Sequence, residues 1–174
     1  MAPVRTRRQP LGSALPRVAI RFPPYDRGVI YLLRHGDAED GGGDDAARRL
    51  TVKGEQQARA AGAALAGLGI AIDTCLTSPK VRAADTARLA CKALGREPET
   101  ADELGGGAFD ALALSAGRGE VLLVGHEPDF SMAVHDATGA QVRMPKSGLA
   151  AIDRGELKLL LRPHELKLLA QLRR

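Results

Sequence analysis

Tryptophan is absent from this 174-residue sequence, and the aromatic complement stops at two tyrosines and three phenylalanines. Large rings cannot fill such a core. Ala, Leu, Val and Gly must do so from closely packed elements, which suits helices laid against a sheet. Cysteine is nearly missing as well: Cys75 and Cys91 form no CxxC pair and stand at no metal-ligand spacing. That excludes a disulfide scaffold and fits a reducing cytoplasm. Long apolar runs are lacking too. Pro10, Pro16, Pro23 and Pro24 interrupt the Arg-rich start before it reaches signal-peptide length, and nothing approaches the roughly 18 apolar residues of a membrane span. No export or membrane anchoring is indicated.

The formal net charge of +4 would hint at nucleic acid, but it is unevenly spread. Residues 1 to 28 hold six arginines against Asp26 alone, so the remainder carries about −1. Residues 1 to 28 therefore read as a disordered Arg/Pro-rich extension, and residues 29 to 174 as one domain with a core of its own. A nucleic-acid partner is not favoured.

The run Val29-Ile30-Tyr31-Leu32-Leu33 reads as a buried strand that stops at Arg34-His35-Gly36. Asp37 to Asp45, acidic and containing Gly41-Gly42-Gly43, reads as a solvated loop, with a flap over the strand end as the alternative. A helix is expected at about residues 52 to 67, from the spacing of Ala58, Ala61, Leu65 and Leu68, and a second strand at Ile70 to Thr77. Ser78-Pro79 opens a helix reaching about Leu94, whose stripe of Val81, Ala84, Ala87, Cys91 and Leu94 puts Arg82 off the buried face. Residues 95 to 107 read as a polar loop, 108 to 117 as a short helix, and Val121 to Val124 as a third strand ending in Gly125-His126. A helix starts at Pro128. Ala150 to Asp153 and Leu157 to Leu161 are two further strands with a tight turn at Arg154-Gly155, and Glu165 to Leu169 a closing helix. Alternating strands and helices imply a mostly parallel sheet covered on both faces, with ligands beyond the strands' carboxyl ends. Arg34, His35, Arg82 and His126 all fall there.

Two arginines and two histidines at one sheet edge suit a phosphoryl group. A guanidinium fork binds two oxygens at once and stays charged, and a neutral imidazole can attack phosphorus. His35 is the candidate nucleophile. Gly36 admits close backbone approach to the anion, and the N–H groups there and near Ser78 can add donors. Neither a cofactor nor a metal is required if arginines supply the charge. A metal hydrolase using His35, Asp37, His126 and Glu127 lacks the expected ligand spacing. A non-catalytic phosphate- or nucleic-acid-binding module is the alternative of another class, against which the intact His35 and Arg82 stand.

Four ordered marks carry a family resemblance: Leu33-Arg34-His35-Gly36-Asp37-Ala38; Leu50-Thr51-Val52-Lys53-Gly54; Thr77 to Ala87, containing Ser78-Pro79 and Arg82; and Val124-Gly125-His126-Glu127-Pro128. Over about Val29 to Leu161 the chain resembles the histidine phosphatase superfamily, also called phosphoglycerate-mutase-like. The resemblance implies a three-layer α/β/α sandwich, a phosphohistidine intermediate on His35, and Arg34, Arg82 and His126 as the oxygen clamp. The short length, the Arg-His-Gly-Asp-Ala start and Pro145 to Ala150 are most similar to the SixA-like branch, which removes phosphate from phosphohistidine in signalling proteins. The implied partner is a phosphorylated protein; a small phosphate ester is the runner-up. Larger members use a glutamate after the second arginine, or an aspartate after the second histidine, as proton donor. Here Glu103 is the first choice, with Glu127 and Asp37 as the others. No pattern sets an oligomeric state.

Overall fold

The computed structural model describes residues 28–172, Gly42 excepted. Apart from Gly28, the extension expected at residues 1 to 28 lies outside the described residues. The first apolar run forms strand β1, Ile30–Arg34, and the chain continues through α1 (Val52–Gly67), β2 (Thr74–Thr77), α2 (Val81–Leu94), β3 (Glu99–Thr100), α3 (Ala111–Ser115), β4 (Val121–Gly125), α4 (Asp129–Thr138), β5 (Leu149–Asp153), β6 (Glu156–Leu161) and α5 (Pro163–Gln171). Two short 3-10 helices, Asp45–Ala47 and Asp102–Gly105, sit in the connections.

The six strands form one sheet in the order β3-β2-β4-β1-β5-β6. The first four in that order run parallel, while β5 lies antiparallel to β1, and β6 to β5. Alternation along β1 explains the layers. Tyr31 and Leu33 face a cluster with Ala61, Ala64 and Leu65 of α1, Ala87 and Cys91 of α2 and Leu166 of α5. Ile30 and Leu32 face the other cluster, with Leu104, Ala111 of α3 and Phe130, Ala133 and Val134 of α4. Both faces of the central strands are thus buried, so their sequence reads as continuous apolar runs. The three-layer α/β/α sandwich is the architecture observed. No helix among the described residues is long and apolar enough to cross a membrane.

Differences from the expected elements have local causes. Strand β2 begins at Thr74 rather than Ile70, because Ile70 N–H donates back to the Leu65 carbonyl at 3.1 Å and closes the end of α1. Residues 95 to 107 are not a plain loop: β3 pairs parallel with β2 through Leu76 and Thr77, and the 3-10 helix buries Leu104. The cap of α2 is Lys80, without a side-chain cap bond, and Ser78 stands two residues before it, accepting from the Lys80 N–H at 3.2 Å. The buried face of that helix is Arg82, Ala83, Thr86, Ala87, Leu89, Ala90 and Cys91, so Arg82 lies on the stripe and not off it.

Small residues let the helices approach closely. A Cβ on Gly62 of α1 would stand 2.1 Å from the Ala90 carbonyl oxygen of α2. Gly62→Ala gains about 1 kcal/mol of helix propensity but forces two backbones apart, which costs about 1–3 kcal/mol. The expected outcome is a net loss of stability, read as a lower urea midpoint; an unchanged or raised midpoint refutes the close-packed seam.

Candidate active site

The parallel ladder continues past the strand ends. His35 N–H donates to the Gly125 carbonyl at 3.0 Å and Ser78 N–H to the Val124 carbonyl at 2.9 Å. These bonds bring the residues after β1, β2 and β4 to one edge. The rings of His35 and His126 stand 5.1 Å apart, centre to centre, and tilted by 54°. Both side chains are buried.

His35 Nδ1 lies 2.7 Å from the carbonyl oxygen of Gly36. A carbonyl only accepts, so Nδ1 carries the proton and Nε2 keeps its lone pair. This is the tautomer a nucleophile needs. His126 Nε2 lies 2.8 Å from Ser78 Oγ, which already accepts from Lys80 N–H at 3.2 Å. A hydroxyl can both donate and accept, and in the tautomer where Ser78 donates to Nε2 the His126 proton sits on Nδ1. That nitrogen is buried and makes no hydrogen bond within the chain.

Arg34, the last residue of β1, donates from Nη1 to the Met144 carbonyl at 2.8 Å. Its charge lies near Glu127, which partly offsets the burial that disfavours the ionised form. Arg82, in the first turn of α2, is held by Asp45: Nη1 donates to the backbone carbonyl at 2.5 Å and Nη2 to Oδ2 at 3.1 Å. The i+3 pairing of Arg82 with Asp85 open to it on its own helix does not form, and Asp85 pairs with Arg88. The Nε atoms of Arg34 and Arg82 are both buried without a partner in the chain. Buried donors of that kind are uncommon, and three at one sheet edge mark a place suited to an anion.

Gly36 contributes differently from expectation. Its N–H donates to Thr86 Oγ1 at 3.0 Å, so it is already used, as is the N–H of Ser78. What glycine supplies here is room: a Cβ on Gly36 would lie 2.6 Å from the Gly54 carbonyl oxygen at the start of α1. Asp37 accepts from Lys146 Nζ at 2.8 Å and from Thr51 Oγ1 at 2.9 Å, contacts that hold its carboxyl below the usual range. Glu127 Oε2 accepts from Ser131 Oγ at 2.5 Å, and its Oε1 is buried without a partner. Glu103 is exposed on the 3-10 helix Asp102–Gly105 and takes part in none of the hydrogen bonds or ion pairs found among the described residues. Among the described residues no three His, Cys, Asp or Glu side chains are grouped as a metal ion would need. A concavity of about 1040 Å³ opens at the opposite end of the strands against Gly28, Ser115 and Glu120, away from this chemistry.

Asp45, Ser78, Lys80 and Thr86 were not legible as participants. Thr86 had a faint signal, lying one helical turn beyond Arg82, whose carbonyl accepts from its hydroxyl at 2.7 Å.

Burial, reinforced by the neighbouring arginines, lowers the pKa of His35 to about 4; burial, His35 and Arg82 lower that of His126 to about 3. Both rings are neutral at pH 7. In the unfolded chain they bind protons at about 6.5, so on acidification the unfolded state takes them up first. Stability is expected to fall as pH drops from about 6.5 through about 4, and neither imidazole should titrate above about pH 5 by NMR. A ring titrating near its ordinary value contradicts the burial argument.

Residues 30–113 match the model of the histidine phosphatase superfamily (branch 1). An uncharacterized protein of Picosynechococcus sp. is 32% identical over 144 residues, covering 75% of this chain and 87% of that one. The mitochondrial serine/threonine-protein phosphatase Pgam5 of Drosophila ananassae is 40% identical over 70 residues, which are 40% of this chain and 24% of that protein. Among solved structures, a candidate phosphohistidine phosphatase, SixA, from Agrobacterium tumefaciens superposes with a TM-score of 0.71 at 26% identity, over 79% of this chain and 99% of that one. With an α/β/α sheet whose parallel strand ends gather Arg34, His35, Arg82 and His126, the chain belongs to the histidine phosphatase superfamily and is a phosphatase of that family.

Proposed function

We propose that the chain is a metal-independent, cytoplasmic protein phosphohistidine phosphatase that works through a phosphohistidine on His35. The observation that carries this reading is the bond from His35 Nδ1–H to the Gly36 carbonyl, which leaves Nε2 with its lone pair beside buried donors of Arg34, Arg82 and His126. The similarity to the SixA fold supports the substrate class. Residues 29 to 174 act as the single catalytic domain, with residues 1 to 28 as an extension that turnover does not need.

In the first step Nε2 of His35 forms a bond to phosphorus as the bond from phosphorus to the substrate's imidazole nitrogen breaks. The freed imidazole takes up a proton. Arg34, Arg82 and the Nδ1–H of His126 hold the three phosphoryl oxygens as their charge shifts. Water then attacks phosphorus, the bond to Nε2 breaks, and inorganic phosphate leaves.

For the proton donor, Glu127 is better supported than Glu103, because it directly follows His126 and has a buried unpartnered oxygen, whereas Glu103 is exposed. Asp37 is held ionised by Lys146 and Thr51. An imidazole is expelled more easily than an alkoxide, so a phosphohistidine substrate depends less on that acid.

His35→Ala is expected to lower turnover at least about a thousandfold, and Arg82→Ala about a hundredfold or more, in assays containing a chelator. Phosphohistidine on a carrier protein should be hydrolysed faster than sugar, nucleotide or serine phosphates. Glu127→Gln should slow ester hydrolysis by about a hundredfold while sparing phosphohistidine. Faster turnover of any ester sinks the substrate class, and full activity of His35→Ala sinks the mechanism.

A further inference from the structure

The connection between β1 and α1 carries Asp45 back onto the cations of the site. Its Oδ2 accepts from Arg82 Nη2 at 3.1 Å and from Lys80 Nζ at 3.0 Å, and its Oδ1 from Arg48 Nη1 at 3.2 Å. One carboxylate thus sits among three cations. The geometry is that of an oxyanion bound by a guanidinium and an ammonium together, as a phosphoryl oxygen would be. Exposure is lopsided: the Arg82 side chain is 6% exposed, whereas that of Asp45 is 55% exposed. The cation belongs to the rigid frame and its anion to the surface. Electrostatically Asp45 also reaches His126, so it lies over the same edge as the histidine pair.

A single negative charge leaves three cations under-neutralised. A phosphoryl group, with about two charges and three oxygens at neutral pH, matches them better than Asp45 does. The Asp45 carboxylate is open to solvent, so water or an incoming anion can take its place beside the buried Arg82.

We propose that Asp45 is an intramolecular competitor for the phosphoryl site: its carboxylate occupies Arg82 and Lys80 in the free protein and is displaced by the substrate, which Lys80 then helps Arg82 to hold. This rests on the reading that Arg82 binds the phosphoryl group. It adds Lys80 as a substrate-binding residue and Asp45 as a gate that sets how strongly an anion must bind to enter. Anions with a single charge and poor geometry are rejected by the same device, since they gain nothing over the resident carboxylate.

Titration calorimetry with inorganic phosphate on the full chain tests this without requiring turnover. Asp45→Ala and the isosteric Asp45→Asn should each bind phosphate roughly three- to tenfold more tightly than the unaltered chain, because the open fraction of the site rises. In the phosphatase assay the same variants should lower KM without lowering kcat. Lys80→Met, combined with Asp45→Asn, should weaken phosphate binding by roughly threefold or more relative to Asp45→Asn alone. Unchanged or weaker phosphate binding in both Asp45 variants, with wild-type melting curves, overturns the proposal and makes Asp45 a brace for Arg82. Tighter phosphate binding without turnover of any phosphorylated substrate keeps the gate and defeats the phosphatase reading. Normal turnover with phosphate affinity unmoved does the reverse.

Discussion

The ladder of parallel backbone hydrogen bonds that runs past the ends of β1, β2 and β4 is the constraint on which the site depends. His35 donates to Gly125, Ser78 to Val124 and Arg34 to Gly148, while Ser147 donates to the His35 carbonyl. Each bond uses a main-chain group, so the spacing of the functional side chains is set by sheet geometry and not by side-chain preference. Three loops distant in sequence are tied to one edge. The antiparallel strand β5 serves the same purpose from the other side, bringing the Pro145 to Gly148 segment against the nucleophile.

Electrostatics follow from that placement. Burial disfavours the protonated imidazole at this edge and the nearby cations, Arg82 above all, reinforce it, so both histidines are held neutral. The acidic groups nearby are each matched to a cation: Asp37 to Lys146, Asp45 to Arg82 and Lys80, Glu127 to the field of Arg34. The structure separates the carboxylates that offset positive charge from the nucleophile that must stay basic.

Much of this was legible in the sequence. The helix at residues 52 to 67 has the bounds of α1 because Thr51 caps it, accepting from Gly54 N–H at 3.1 Å, and its apolar spacing is unbroken. Strands β1 and β4 announced themselves as apolar runs between polar ends, and the quartet at their ends followed. What was illegible depended on tertiary contact. Arg82 was expected at the site but off the buried stripe, because helical periodicity assigns charged residues away from the apolar face, whereas it lies on the buried side of α2 and reaches Asp45. Asp45 lay in a stretch whose composition fits any solvated loop. Ser78 resembled a helix cap, and only the position of His126 across the sheet edge gives its hydroxyl another use. Glu103 was expected as proton donor ahead of Glu127 and Asp37, because nothing local in the sequence separates an exposed glutamate from one beside a buried arginine.

Thr86 accepts from Gly36 N–H and donates to the Arg82 carbonyl, so a single hydroxyl ties the backbone beside the nucleophile to the turn that carries the arginine. These two parts therefore form one body, with a common reference point inside the sandwich. The connection bearing Asp45 meets it through the hydrogen bonds that Arg82 and Lys80 donate. Substrate entry is then a change of occupant and not a change of shape: the guest trades places with a resident while the reacting atoms keep their alignment, and the cost of admission falls on a surface tether instead of on the sheet.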